Sequence, residues 1–151
     1  MILFLDLDGV THFVFPLAHR TYAENQLFAF LPRLEAVLRD HPDWEVVVSS
    51  SWREIRPLDV IASNFSADIR PRIIGVTPII KAKEPPYPAH VRYLEIQRYL
   101  VDNNLQETHW LALDDDAQLF PTGCRSLVLC EDGFCEAEEM ALRKAMEGLA
   151  A

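Results

Sequence analysis

Apolar positions along the chain follow two periods. Residues 1–5, Met-Ile-Leu-Phe-Leu, are apolar throughout. The run is too short for a helix and too apolar for a surface strand, so it predicts a strand buried on both faces. Residues 44–48, rich in valine, and the short segments 72–76, 109–113 and 126–130 predict further strands bounded by turn residues. Between them the apolar spacing lengthens to that of helices. Pro32 opens one, with Leu34, Val37 and Leu38 on its buried face and His41-Pro42-Asp43 ending it. Residues 57–65 predict a short helix turned inward through Leu58, Ile61 and Phe65, and residues 89–103 a longer one with Val91, Leu94 and Tyr99 or Leu100 inward. Residues 135–149 predict the last helix, carrying Met140, Leu142 or the Arg143 stem, and Met146. Its start looks weakly capped, because Cys135 stands where Ser or Thr is expected.

Strands alternating with helices predict an α/β fold with a mostly parallel sheet. Right-handed crossovers then bring the C-terminal ends of the strands to one edge. Asp6 and Asp8, Ser49-Ser50-Ser51, and Asp114-Asp115-Asp116 each follow a predicted strand directly, so they share that edge although the first and last are far apart in sequence. Two stretches resist assignment. Residues 11–29 are rich in aromatics, and Phe13, Phe15, Phe28 and Phe30 either line a crevice wall or fill core, the latter being the simpler reading. Residues 81–89 hold three prolines and two lysines and predict a loop.

Composition narrows the class. At 151 residues, half hydrophobic and a quarter charged, the chain reads as one ordinary globular domain. A net charge of -9 argues against broad adhesion to nucleic acid or anionic membrane, without excluding a local basic patch. The three cysteines, Cys124, Cys130 and Cys135, are too few and too spread for a zinc site and read as reduced thiols. With no apolar run of membrane-spanning length and no basic leader, the expectation is a cytoplasmic protein with no membrane partner.

The shared acidic edge sets the chemistry. Carboxylates gathered at one place repel each other unless a cation sits among them. Oxygen donors without His or Cys select a hard ion, and Mg²⁺ suits a few carboxylates together with a phosphate oxygen. Hydroxyls and backbone N–H groups at a strand–helix junction are partners for phosphate, and a nearby Arg or Lys completes the charge balance. Such a set suits phosphoryl transfer, in which positioning and charge neutralisation supply most of the catalysis.

The same residues carry a resemblance. Asp6-Leu7-Asp8-Gly9-Val10 after an apolar strand, Val46-Val47-Val48-Ser49, and Leu113-Asp114-Asp115 resemble the first, second and fourth motifs of the haloacid dehalogenase (HAD) superfamily of phosphatases. More narrowly, Ser49-Ser50-Ser51-Trp52-Arg53, Ile74-Gly75-Val76-Thr77-Pro78 and Arg92-x-x-Glu95-Ile96 resemble the HAD domains of bacterial RNA-repair proteins. The resemblance implies a Rossmann-like three-layer sandwich with a five-stranded, mostly parallel sheet and no large cap domain. It implies Asp6 as the nucleophile that becomes an aspartyl-phosphate and Asp8 as general acid and then base. Asp8 in place of another residue favours phosphatase over dehalogenase, whose leaving group needs no proton. Mg²⁺ would be held by Asp6, the Asp8 backbone carbonyl, Asp114 and Asp115, with Asp116 serving equally well as a helix cap. Ser49 would bind the transferred phosphoryl, with Ser50 the alternative. The third-motif cation would be Arg92, with Lys81 and Lys83 as alternatives. Gly9 and Arg53 would lie against substrate, although a surface ion pair suits Arg53 equally. His12 reads as a structural histidine within reach of substrate, and Trp52 as packing.

With only some 40 residues between consecutive motifs, the site is expected to be open. In this superfamily that goes with macromolecular substrates such as phosphorylated nucleic-acid ends or proteins, and small phosphate esters stand as the other option. A non-catalytic phospho-acceptor or metal-binding module with the same acidic crevice is the competing reading; the intact Asp6 and Asp8 pair favours the enzyme.

Overall fold

The computed structural model describes residues 1–81 and 86–150. Its centre is a five-stranded sheet in the order β3-β2-β1-β4-β5, formed by Ile2–Leu5 (β1), Glu45–Val48 (β2), Ile73–Val76 (β3), Trp110–Asp114 (β4) and Leu127–Leu129 (β5). Every pairing is parallel. The wholly apolar β1 takes the middle position, where both its faces and both its edges are covered.

Alternation along the strands divides the core in two. Leu3, Leu5, Val46, Val48, Leu111 and Leu113 face one side, where they meet the helices Leu31–Asp40 (α1), Leu58–Ala62 (α2) and Glu136–Ala150 (α4). Ile2, Phe4, Val47 and Ala112 face the other, against the helix Val91–Asp102 (α3). The result is the expected α/β three-layer sandwich. Among the described residues no helix is long and apolar enough to cross a membrane.

Pro32 lies in the first turn of α1, and Leu34, Val37 and Leu38 are its buried face as the spacing predicts. In α4, Leu142 and Met146 are buried while Met140 is exposed. Its start is capped from within: the Cys135 N–H donates to Glu138 Oε2 at 3.0 Å, the reach-back half of a capping box. The expected inward face of α3 needs correction. Arg92, Glu95, Ile96 and Leu100 are buried, and Leu94 is among the exposed apolar residues. A rule that places apolar residues inward rotates this helix wrongly, because its inner stripe begins with an arginine and a glutamate.

The aromatic segment after β1 does not fill the core. Phe15 is exposed, Phe28 and Phe30 pack half-buried against the α1 side, and Phe13 stacks edge-on to Phe30 beneath the Arg20 guanidinium. Phe4, by contrast, is fully enclosed and meets Tyr99 and Trp110 edge to face at 5.7 and 5.8 Å. Phe4→Ala is expected to cost about 3–5 kcal/mol, the range for emptying an aromatic site in a rigid core. Urea denaturation would show this as a lowered midpoint at unchanged slope.

Candidate active site

Strand register builds the site. Leu5 pairs with Val48 on one side and Leu113 on the other. One residue further, Asp6, Ser49 and Asp114 form a row across three strands. The ladder still holds there, for the Asp6 N–H donates to Leu113 O at 3.0 Å and the Ser49 N–H to Leu5 O at 2.9 Å. Because Leu5, Val48 and Leu113 face the α1 side, alternation turns this row toward α3. There the first turn of α3 brings in Arg92, whose Nη2 lies 3.9 Å from Asp6 Oδ2 and whose Nε lies 3.1 Å from Asp114 Oδ2.

Asp115 completes an acidic cluster. Asp6, Asp114 and Asp115 each present an oxygen within 4.8 Å of the others. Gly9 makes room for it: its φ is +75°, and a Cβ on it would stand 2.1 Å from Asp115 Oδ2. The glycine therefore serves backbone conformation and close approach at once. Burial pushes the Asp6 carboxyl above its ordinary range, while Arg92, the Ser50 hydroxyl and the Leu7 N–H pull it back. Burial and the neighbouring Asp6 charge push Asp114 up to about 7, against Arg92. Asp115 is raised by the same two causes.

Three crowded carboxyls that resist ionising fit a hard cation. The Arg92 Nε contact with Asp114 Oδ2 is off the hydrogen-bonding direction, so both buried atoms lack a hydrogen-bond partner. An oxygen-only donor set with one orphaned carboxylate oxygen suits Mg²⁺.

The other expected site residues take distinct places. Ser49 and Ser50 are both buried at the end of β2, and the Ser50 hydroxyl, which bears on Asp6, also accepts the Trp52 N–H at 3.4 Å. Asp116 caps the short 3₁₀ turn 117–119 by accepting the Gln118 N–H at 2.9 Å. Lys81 pairs with Glu54 at 2.8 Å on the surface, and Lys83 lies outside the described residues. Among these cations, Arg92 stands at the acids.

Arg53 is not free to meet substrate. Its side chain is 2 % exposed, and its guanidinium donates to the carbonyls of Ser49, Ser50, Thr77 and Pro78 and to Glu95 Oε2 at 2.6 Å. It ties the loop after β2 to the loop after β3. Asp8 is also turned away from the cluster of three acids. The Trp52 Nε1–H donates to both of its oxygens, and His12 Nε2 lies 2.9 Å from Oδ1. Any contact of Asp8 with an ion held by the other three would fall to its backbone carbonyl.

Two features of the site leave little trace in the sequence. Glu95 is buried between Arg53 and Arg92; the sequence marks it within Arg92-x-x-Glu95-Ile96, at i, i+3 from Arg92 on α3, but not as the partner of both arginines. The contacts of Trp52 and His12 with Asp8 were equally hidden, since His12 shows only as the fourth residue beyond Asp8.

The family model described as the HAD domain in Swiss Army Knife RNA repair proteins matches residues 2–138. The chain belongs to this family. The match runs from the first residue of β1 into the first turn of α4, so the whole sheet of this HAD domain and every residue of the acidic cluster lie within it. A comparison with curated proteins finds no match.

Gly9→Ala must strain a left-handed backbone, at about 1–3 kcal/mol, and push the Asp115 carboxylate out of the cluster. Isothermal titration should show weakened Mg²⁺ binding. The raised Asp114 carboxyl makes stability fall as pH rises. Between its ordinary value of 3.8 and about 7 the unfolded chain gives up a proton that the folded chain keeps. Melting temperatures of metal-free protein should therefore drop across that window, and Asp114→Asn should flatten the drop.

Proposed function

We propose that this HAD domain is a Mg²⁺-dependent phosphomonoesterase acting through Asp6. The observation that carries the reading is the row of Asp6, Ser49 and Asp114 with Asp115 beside it and Arg92 set among the acids. Asp6, Asp114 and Asp115 would hold the ion with the Asp8 backbone carbonyl. Bound there, Mg²⁺ would offset the negative charge of both the carboxylates and the phosphate.

The Asp6 carboxylate attacks phosphorus, forming an acyl-phosphate bond as the ester P–O bond breaks. Asp8, in its acid form, gives its proton to the departing oxygen, releasing an alcohol. Water then attacks the phosphorus. Asp8 takes the water's proton, phosphate leaves, and the Asp6 carboxylate is restored. Arg92 keeps positive charge at the reacting group throughout, and the hydroxyls of Ser49 and Ser50 stand at the same strand ends to receive phosphoryl oxygens. The short connections between motifs would leave the crevice open, which favours a phosphorylated RNA or DNA end as substrate. The family's association with RNA repair supports the same reading.

Asp6→Asn should lower hydrolysis of an aryl phosphate by about three orders of magnitude or more, the scale of losing a nucleophile. Chelation by EDTA should abolish it, and added Mg²⁺ restore it. Full activity of Asp6→Asn would overturn the covalent route. A panel of 3′- and 5′-phosphorylated RNA and DNA ends beside sugar phosphates tests the substrate class through kcat/KM.

A further inference from the structure

The surroundings of Asp8 carry an inference that rests on the reading of this residue as the proton donor. Its carboxylate, 38 % exposed, sits between two side chains from different segments. From the turn after β2, the Trp52 indole N–H reaches Oδ1 and Oδ2 at 3.1 and 3.0 Å. From the turn after β1, His12 Nε2 reaches Oδ1 at 2.9 Å. Neither side chain is free to swing. The imidazole is almost wholly buried, with Nδ1 3.0 Å from the Thr11 hydroxyl, which itself donates to Leu7 O at 3.0 Å. Phe28 packs edge-on to His12 and to Trp52, with ring centres 5.2 and 5.4 Å apart, and Arg56 lies 4.2 Å over the indole.

A carboxylate on the open side of a crevice has free rotation about its side-chain bonds unless something holds it. Here the indole N–H straddles both oxygens, and the imidazole sits against one. That arrangement fixes the plane of the carboxyl group and leaves its solvent side open. We propose that Trp52 and His12 are positioning residues that hold the Asp8 carboxyl group in the orientation from which it protonates the leaving oxygen. Neither touches the reacting atoms. Their effect is confined to steps in which Asp8 moves a proton.

Leaving-group dependence isolates that effect. Dinitrophenolate departs without a proton, whereas an alkoxide needs one as the P–O bond breaks. The quantity to measure is kcat/KM, which reports the first phosphoryl transfer and not the later release of phosphate, for ethyl phosphate relative to dinitrophenyl phosphate. In Trp52→Phe, which keeps an aromatic ring and removes the N–H, the ratio should fall about tenfold or more, in keeping with the rate sensitivity of displaced catalytic groups. His12→Leu should lower it similarly, and His12→Gln, whose amide can donate or accept a hydrogen bond in the place of Nε2, should recover most of the loss. Should His12→Leu fail to fold by circular dichroism, Trp52→Phe and His12→Gln decide the matter.

Asp8→Asn is the reference. If it lowers the ratio and Trp52→Phe does not, the positioning role is overturned while the reading of Asp8 stands. If Asp8→Asn leaves the ratio unchanged, or the wild-type chain hydrolyses neither ester, the reading of Asp8 falls and the positioning role with it. Equal losses on both esters in Trp52→Phe would mark a merely structural residue and overturn the proposal.

Discussion

In-register parallel pairing of β1 with both its neighbours is the constraint on which the site depends. Leu5 is matched to Val48 and to Leu113, so the next residue on each strand arrives at the same height. A shift of one residue in either pairing would turn Ser49 or Asp114 to the opposite face of the sheet and bury an acid or hydroxyl among leucines. The apolar stretch that looks like ordinary core therefore has a second consequence. It sets the alignment from which chemistry becomes possible, because the last apolar rung and the first polar rung are consecutive.

Burying that polar row raises an electrostatic problem that Arg92 answers only in part. A guanidinium among Asp6, Asp114 and Glu95 supplies one positive charge to several carboxylates. Its Nε contact with Asp114 lacks hydrogen-bond alignment, and the Asp114 carboxyl remains pushed up to about 7. Were Arg92 a purely structural partner, a well-aligned bidentate pair would be the expected solution, since an ill-paired buried charge is strongly destabilising. Arg53, on the other side of Glu95, is fully paired instead, with carbonyl and carboxylate acceptors around its guanidinium. The contrast between the two arginines separates one whose donors are all met from one whose Nε is left without a hydrogen-bond partner.

That contrast also marks what the sequence could convey. Runs of apolar residues ending in acids made β1 and β4 legible, and with them the fold class and the acidic edge. Arg92 and Arg53 look alike in sequence; hydropathy cannot say that one has all its donors satisfied by the protein. The inner face of α3 is hidden from the sequence for a related reason. Burial of Arg92 and Glu95 depends on partners supplied by β1, β4 and the turn after β2, and no periodicity within the helix encodes them. Trp52 reads as packing because its rings do pack, against Phe28 and beneath Arg56, while the partner of its N–H appears only once Asp8 stands opposite.

The two aspartates of the first motif show how two residues apart becomes two environments. Asp6 still belongs to the sheet: its N–H completes the ladder to β4, and its carboxylate is buried among like charges and Arg92. Asp8 has left the sheet, is half exposed, and is held by an indole and an imidazole instead of by acids. Leu7, fully buried between them, anchors the chain so that the turn cannot blur this distinction. Attack on phosphorus calls for a carboxylate fixed beside positive charge. Moving a proton to and from a leaving group calls for one at the open side of the crevice. In the proposed mechanism, identical side chains divide those tasks because the strand ends between them.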